Sequence, residues 1–264
     1  MTHFEQIGNM KKNMVRKDLL QEAKRCFVAE LESRSGGSEN FGHEVVVSRP
    51  LRPREAIGDP GRDDFAILRG KEVLMQAVFR GAAGQAFTAA EGSFNGSLED
   101  VLELSSAEAF ERSVLIAAMN AVLRYFNLIE GTVHCKDEGP RRCADCMAEW
   151  IRKQEADKVG LIGMQPALLV TLVKTLGMNR VLVSDMAEAG RIRCGIEILD
   201  GMDSHEIFER CQLILITGST LANGTIDGLV EMALNHDRRA VFFGTTIAGA
   251  AFLLGLERWC PCST

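Results

Sequence analysis

This 264-residue chain lacks a basic excess, a long apolar run and any familiar catalytic signature. Its 30 Lys and Arg are outnumbered by 36 Asp and Glu, a net charge of −6. A nucleic-acid binder normally shows a basic face, so that class is set aside. The longest nearly apolar run, Ile247 to Leu256, falls far below the roughly 18 residues of a membrane span. The opening MTHFEQIGNMKK has no apolar core, so no secretory signal is expected. Eight cysteines in a chain read as cytoplasmic suit free thiols or metal ligands better than a disulfide framework. Ser/His/Asp order, Walker loop and His-Glu-x-x-His are all missing. No nucleophile can be named, and whether the chain is an enzyme stays open.

What is present centres on Leu213 to Gly228, LILITGSTLANGTIDG. Leu213 to Ile216 suits a strand buried on both faces. Thr217-Gly218-Ser219-Thr220 breaks it with small hydroxylic residues. A helical stripe of Ile226, Leu229, Val230 and Ala233 follows. Strand, small polar turn and helix is how open α/β sheets place ligand sites at strand carboxyl ends. The competing reading is a tight βα turn that merely needs small residues.

Upstream, Val15, Leu19, Ala23, Phe27 and Leu31 recur every fourth residue, predicting an amphipathic helix ended by Ser33 to Gly37. Glu44 to Ser48 reads as a strand, Pro50 to Asp64 as a loop, and Phe94 to Ser97 as a turn. Val73 to Phe79 and Gln85 to Thr88 are expected to pair, separated by Gly81 and Gly84. Arg62, Asp63, Asp64, Lys71 and Glu72 are read as exposed ion pairs, with a substrate-facing role as the alternative. Ala107 to Leu128, capped by Ser106, is the longest helical pattern and the junction between two parts. From Lys158 onward strands and helices alternate: Val159–Gly163, a helix from Pro166 to Leu176, Val181–Asp185, a short helix near His205, Leu213–Ile216, then Ala240–Gly244 and a helix from Ile247. That pattern predicts a doubly wound parallel sheet preceded by a small α+β unit.

In such a sheet the loops after these strands share one edge. Gly163, Met164, Asp185, Thr217, Gly218, Ser219, Thr220, Asn223, Gly244, Thr245 and Thr246 are the expected ligand-binding residues. Glycine admits a ligand to the backbone, and hydroxyls add uncharged donors. Asp185 lies 22 residues after Gly163, near the ~20-residue spacing of a ribose-binding acid. The segment is not G-x-G-x-x-G, so a nucleotide-type ligand is the alternative. A second constellation is His134-Cys135 with Cys143-Ala144-Asp145-Cys146. These are ligand types for zinc, iron or an iron–sulfur cluster, with Lys136 to Arg142 read as a loop that folds back. Cys260 and Cys262 could add to it, and free thiols are the competing reading. Cys26, Cys194 and Cys211 are read as core.

GLIGMQP, VLVSD, ILITGSTLANGTID and FFGTTIAGAAFLLGL resemble the family called "putative heavy-metal chelation", formerly a domain of unknown function. RDDFAILRGKE, GQAFT and the NAVLRYF helix resemble the small domain that precedes it. The resemblance implies an enolase N-terminal-like domain over 1–130 and a Rossmann-like domain over 131–264. It also implies handling of a heavy metal or a metal-binding small molecule in the cleft between them. The expected partners are therefore a small-molecule or metal ligand, with a homo-oligomer left open and neither nucleic acid nor membrane.

Overall fold

The computed structural model describes residues 18–34, 37–70 and 72–264. The amino-terminal stretch with Val15, and also Ser35, Gly36 and Lys71, lie outside the described residues. Helix α1 (Leu19–Glu32) starts at Asp18, whose side chain accepts from the Gln21 amide, and it buries Leu20, Ala23, Phe27 and Leu31. An antiparallel sheet follows: β1 (Glu44–Val47), then β2 (Val73–Phe79), β3 (Ala82–Thr88) and β4 (Phe94–Ser97), in the order β3-β2-β1-β4.

Three local expectations are corrected here. Pro50 to Asp64 is not all loop: Pro53 opens a short helix, α1's successor α2 (Pro53–Ile57), because its ring suits a first helical turn. Phe94 to Ser97 is an edge strand, with Val47 opposite Phe94 and Glu44 opposite Ser97. Gly84 does not interrupt a strand but lies within β3. A Cβ there would sit 2.2 Å from the Ala121 nitrogen and 2.4 Å from the Ala117 oxygen.

Those alanines belong to α4 (Ala109–Tyr125), which follows the short α3 (Leu98–Glu103) and lies directly on this sheet. Its cap is Glu108 rather than Ser106. The Ser106 hydroxyl instead accepts from Gln21 Nε2 at 2.6 Å.

The second half begins with α5 (Gly139–Arg152), so much of the stretch expected as a loop is helix. Then come β5 (Val159–Ile162), α6 (Pro166–Leu176) and β6 (Val181–Asp185). A hairpin, β7 (Ile192–Arg193) with β8 (Ile196–Glu197), and the edge strand β9 (Leu199–Asp200) are too short to show periodicity. Next are α7 (His205–Arg210), β10 (Leu213–Thr217), α8 (Ser219–Asn223), α9 (Ile226–Asn235), β11 (Arg239–Phe243) and α10 (Ala248–Leu254).

The sheet order is β11-β10-β5-β6-β9, and every pairing is parallel. The chain winds outward from β5 to β9, then returns to β10 on the other side of β5. The winding therefore reverses between β5 and β10, the place where open α/β sheets leave a crevice.

Strand β10 is buried on both faces, as its apolar run predicts. Ile214 and Ile216 join a core that also holds Phe27, Phe79 and Ala117, so one apolar mass spans both sheets. Leu213 and Leu215 face the opposite layer, against Met147, Ile151, Leu168 and Leu172. Cys211 is buried as expected, whereas Cys26 is only partly covered and Cys194 is exposed at φ 51° in the β7–β8 turn. Among the described residues no helix is long and apolar enough to cross a membrane.

Candidate functional site

A cavity of about 390 Å³ opens at the carboxyl ends of β5, β6, β10 and β11 and is walled on its other side by the antiparallel half. Of the expected ligand-binding residues, Gly163, Met164, Asp185, Thr217, Gly218, Ser219, Thr220, Asn223, Gly244 and Thr246 all line it. Thr245 does not: it is fully buried behind them, and its hydroxyl has no hydrogen-bond partner. Ile57, Phe65, Phe87, Phe243 and Trp259 make much of the wall apolar.

The floor is rigid for identifiable reasons. Gly163 has φ +85°, and a Cβ would meet Thr217 Cγ2 at 2.3 Å, so only glycine allows the ends of β5 and β10 this close an approach. The Gly218 N–H donates to the Phe243 carbonyl at 2.8 Å and is thus not offered to a ligand. A Cβ at Gly218 would instead strike Ile247, with the backbone nitrogen 2.8 Å away. Thr217 Oγ1 and Ser219 Oγ lie 3.0 Å apart, and Thr220 Oγ1 donates to the Thr217 carbonyl at 2.7 Å. Asn223 Oδ1 accepts from the Thr225 amide at 3.0 Å and its hydroxyl at 2.8 Å, shaping the entry to α9.

Asp185 is tied into the loops. Its Oδ2 accepts from the Met164 amide at 2.8 Å, and its Oδ1 accepts from the amides of Ala187 at 2.8 Å and Glu188 at 3.1 Å. These bonds leave less of the carboxylate for a ribose than the spacing suggested.

Within electrostatic reach of it is Glu72, read from the sequence as an exposed ion-pair residue with a substrate-facing role as the alternative. Its carboxyl is inside the cavity wall and has no hydrogen-bond partner among the described residues. Burial and then the charge of Asp185 push it up to about 7. Arg62 and Asp64 do form the expected pair, at 2.6 Å.

Two further residues were not singled out. Buried Asn120 on α4 donates from Nδ2 to the carbonyls of Gln85 at 3.0 Å, Thr245 at 3.1 Å and Thr246 at 3.3 Å, and its Oδ1 accepts from Gly249 N at 2.7 Å. It links both halves directly beneath the site. Arg258 donates to the carbonyls of Gly244 at 3.0 Å and Gly131 at 2.6 Å, holding the carboxyl-terminal tail over the β11 end. An asparagine within an alanine-rich apolar helix was the available signal for the first; nothing local marked the second.

Among the residues of the sulfur constellation, His134, Cys135 and Cys143 line the same cavity, while Cys146 is exposed outside it. The His134 ring nitrogen Nδ1 lies 2.6 Å from the Cys135 carbonyl. Only a protonated Nδ1 can donate there, so a neutral ring keeps its lone pair on Nε2. Burial lowers the His134 pKa to about 4 against the opposing effect of that hydrogen bond. Burial also pushes the Cys135 thiol up to about 12, helped by the charges of Cys260 and Cys262, and raises Cys143 for the same reasons. As they stand, no three His, Cys, Asp or Glu side chains among the described residues form a group that could hold a metal ion.

Residues 145–256 match the DUF364 family model, described as "putative heavy-metal chelation". Two solved structures share the fold, both titled as DUF364 proteins of unknown function. The one from Pyrococcus horikoshii has a TM-score of 0.51 at 18% identity, over 86% of this chain and 79% of its own. The one from Desulfitobacterium hafniense has a TM-score of 0.52 at 14% identity, over 89% and 84%. No curated protein matches the chain.

Proposed function

We propose that the chain, whose residues 145–256 match the DUF364 family model, binds a small metal-chelating molecule, or its metal complex, in the cavity between its two sheets. The observation that supports this reading is Glu72, a half-buried carboxyl with no hydrogen bond to a described residue, on the wall of a mostly apolar pocket and within electrostatic reach of Asp185. Two carboxyl groups in such surroundings repel when both are ionised. A ligand carrying positive charge or a proton donor relieves that repulsion, whereas an apolar ligand cannot. The Thr217 and Ser219 hydroxyls offer neutral hydrogen bonds to the ligand's remaining polar atoms. Apolar walls favour a compact organic body over a bare hydrated ion.

Thermal shift and titration calorimetry with nitrilotriacetate and histidine, each alone and with Ni²⁺, Co²⁺ or Zn²⁺, test the reading. AMP, ATP and NAD form the competing arm, standing for a nucleotide-using enzyme. A chelate is expected to raise Tm by selective binding to the folded state. Ser219→Phe, which fills the cavity from its rim, is expected to abolish the shift while leaving the fold intact. A Tm response to nucleotides alone, or chelate binding unaffected by Ser219→Phe, would overturn it.

A further inference from the structure

Five of the eight cysteines come from three separate chain segments and meet at one corner of the molecule. Cys143 and Cys146 stand one turn apart on α5. Cys135 lies against the start of that helix, where a Cβ on Gly139 would come within 3.3 Å of its sulfur. Cys260, with Cys135 and Cys143, lines the near wall of the cavity. Cys262 lies within electrostatic reach of Cys143 and Cys146, so the carboxyl-terminal Cys-Pro-Cys lies beside the α5 cysteines.

This meeting is held by the backbone. Val133 and Thr264 exchange reciprocal amide hydrogen bonds of 2.8 and 2.9 Å. Arg258 Nη2 binds the Gly131 carbonyl at 2.6 Å and Ser263 Oγ at 3.2 Å. Trp259 packs on Trp150 of α5, with ring centroids 5.7 Å apart. Pro261 fixes the backbone between the last two cysteines. A tail pinned at both ends against one helix, with a sulfur on each side of a proline, is more than the sequence spacing alone could show.

We infer that Cys143, Cys146, Cys260 and Cys262 form a thiolate site for a thiophilic divalent ion of the Zn²⁺ class, closed by the carboxyl-terminal tail. The inference goes beyond the cavity reading and does not depend on it. Two pairs of sulfurs from two segments match the ligand number of a structural zinc site. Clustered thiols resist ionising together, because each thiolate opposes the next in a partly buried corner. A divalent cation reverses that balance, and each cysteine that ligates gives up its S–H proton to solvent. The sulfurs do not yet form a metal-holding group. Turning a cysteine from one staggered rotamer to another moves its sulfur by roughly 3 Å with the backbone fixed. His134 is left out, because four sulfurs already complete a tetrahedral set.

The test uses the full chain purified under reducing, anaerobic conditions. Elemental analysis is expected to find about one Zn²⁺ or similar ion per chain, and exchange with Co²⁺ is expected to give the intense near-ultraviolet thiolate-to-cobalt absorption. Cys260→Ser/Cys262→Ser, confined to the tail, is expected to lose both signals while circular dichroism stays unchanged. Glu72→Gln is expected to keep both, which separates this site from the cavity. Absence of the cobalt–thiolate band would overturn the inference. So would a tail variant that retains it, its loss in Glu72→Gln, or a Cys146–Cys262 disulfide in metal-free protein.

Discussion

At the scale of single residues, Glu72 carries the clearest consequence. Its carboxyl is raised from 4.5 to about 7, first by burial and then by Asp185. The folded chain therefore binds a proton that the unfolded chain releases across this window. Stability linked to Glu72 is full at acid pH and declines as pH rises from 4.5 to about 7. Glu72→Gln removes the decline by imitating the protonated acid. The variant is expected to match wild type near pH 5 and to exceed it at pH 8 by at most about 3 kcal/mol. Urea unfolding of both proteins across this range checks the sign. A stability difference independent of pH would place the Glu72 carboxyl in solvent. The same comparison bears on function, since a cationic ligand is expected to bind more tightly once Glu72 ionises.

At the scale of elements, Gly84 and Asn120 show how the halves are joined. Gly84→Ala would place a methyl against the backbone of α4, 2.2 Å from one nitrogen. A helix backbone cannot step aside as a flexible side chain can. The expected loss is about 2–3 kcal/mol or more. Asn120→Ala leaves three carbonyls and one amide without the side chain that joins them, and is expected to cost about 2–4 kcal/mol. Denaturant midpoints at constant m-value measure both, and losses below about 0.5 kcal/mol would mean that the contacts relax cheaply.

These two residues also mark where the sequence stops being legible. The β10 stretch was readable because two buried faces leave an unbroken apolar run, and the cavity edge followed from strand-end topology. Gly84 looked like a break because glycine in a strand and glycine between strands are locally identical. Only the approach of α4 distinguishes them. Phe94 to Ser97 looked like a turn for the same reason: its strand character comes from pairing with β1, not from its own propensities. Glu72 was hidden because its neighbours in sequence are charged, while the cavity it lines is completed by strand ends of the parallel sheet. The meeting of the tail with α5 depends on Arg258 and Thr264 reaching residues 131 and 133, which no spacing rule encodes.

At the scale of the whole molecule, the two units read in succession from the sequence share one apolar core. The apolar core that contains Phe27 of α1 and Phe79 of β2 also contains Ile214, Ile216 and Phe242 of the parallel sheet. Helix α4 contributes Val114 to Leu123 to that core while lying on the antiparallel sheet, and α10 packs against both α1 and α4. Exposing either half alone would uncover much of the same apolar surface, so neither can open without most of the global cost. Unfolding in urea is therefore expected to be a single transition. The tryptophans, Trp150 and Trp259, report on the second half, and exchange of β2 and β3 amides followed by mass spectrometry reports on the first. Their midpoints are expected to coincide, and a chelate bound in the cavity should shift both together because its walls come from both halves. If the β2 and β3 amides lose protection at lower urea than the tryptophan transition, the two halves fold as independent units. The cavity would then be a closing interface rather than a fixed pocket.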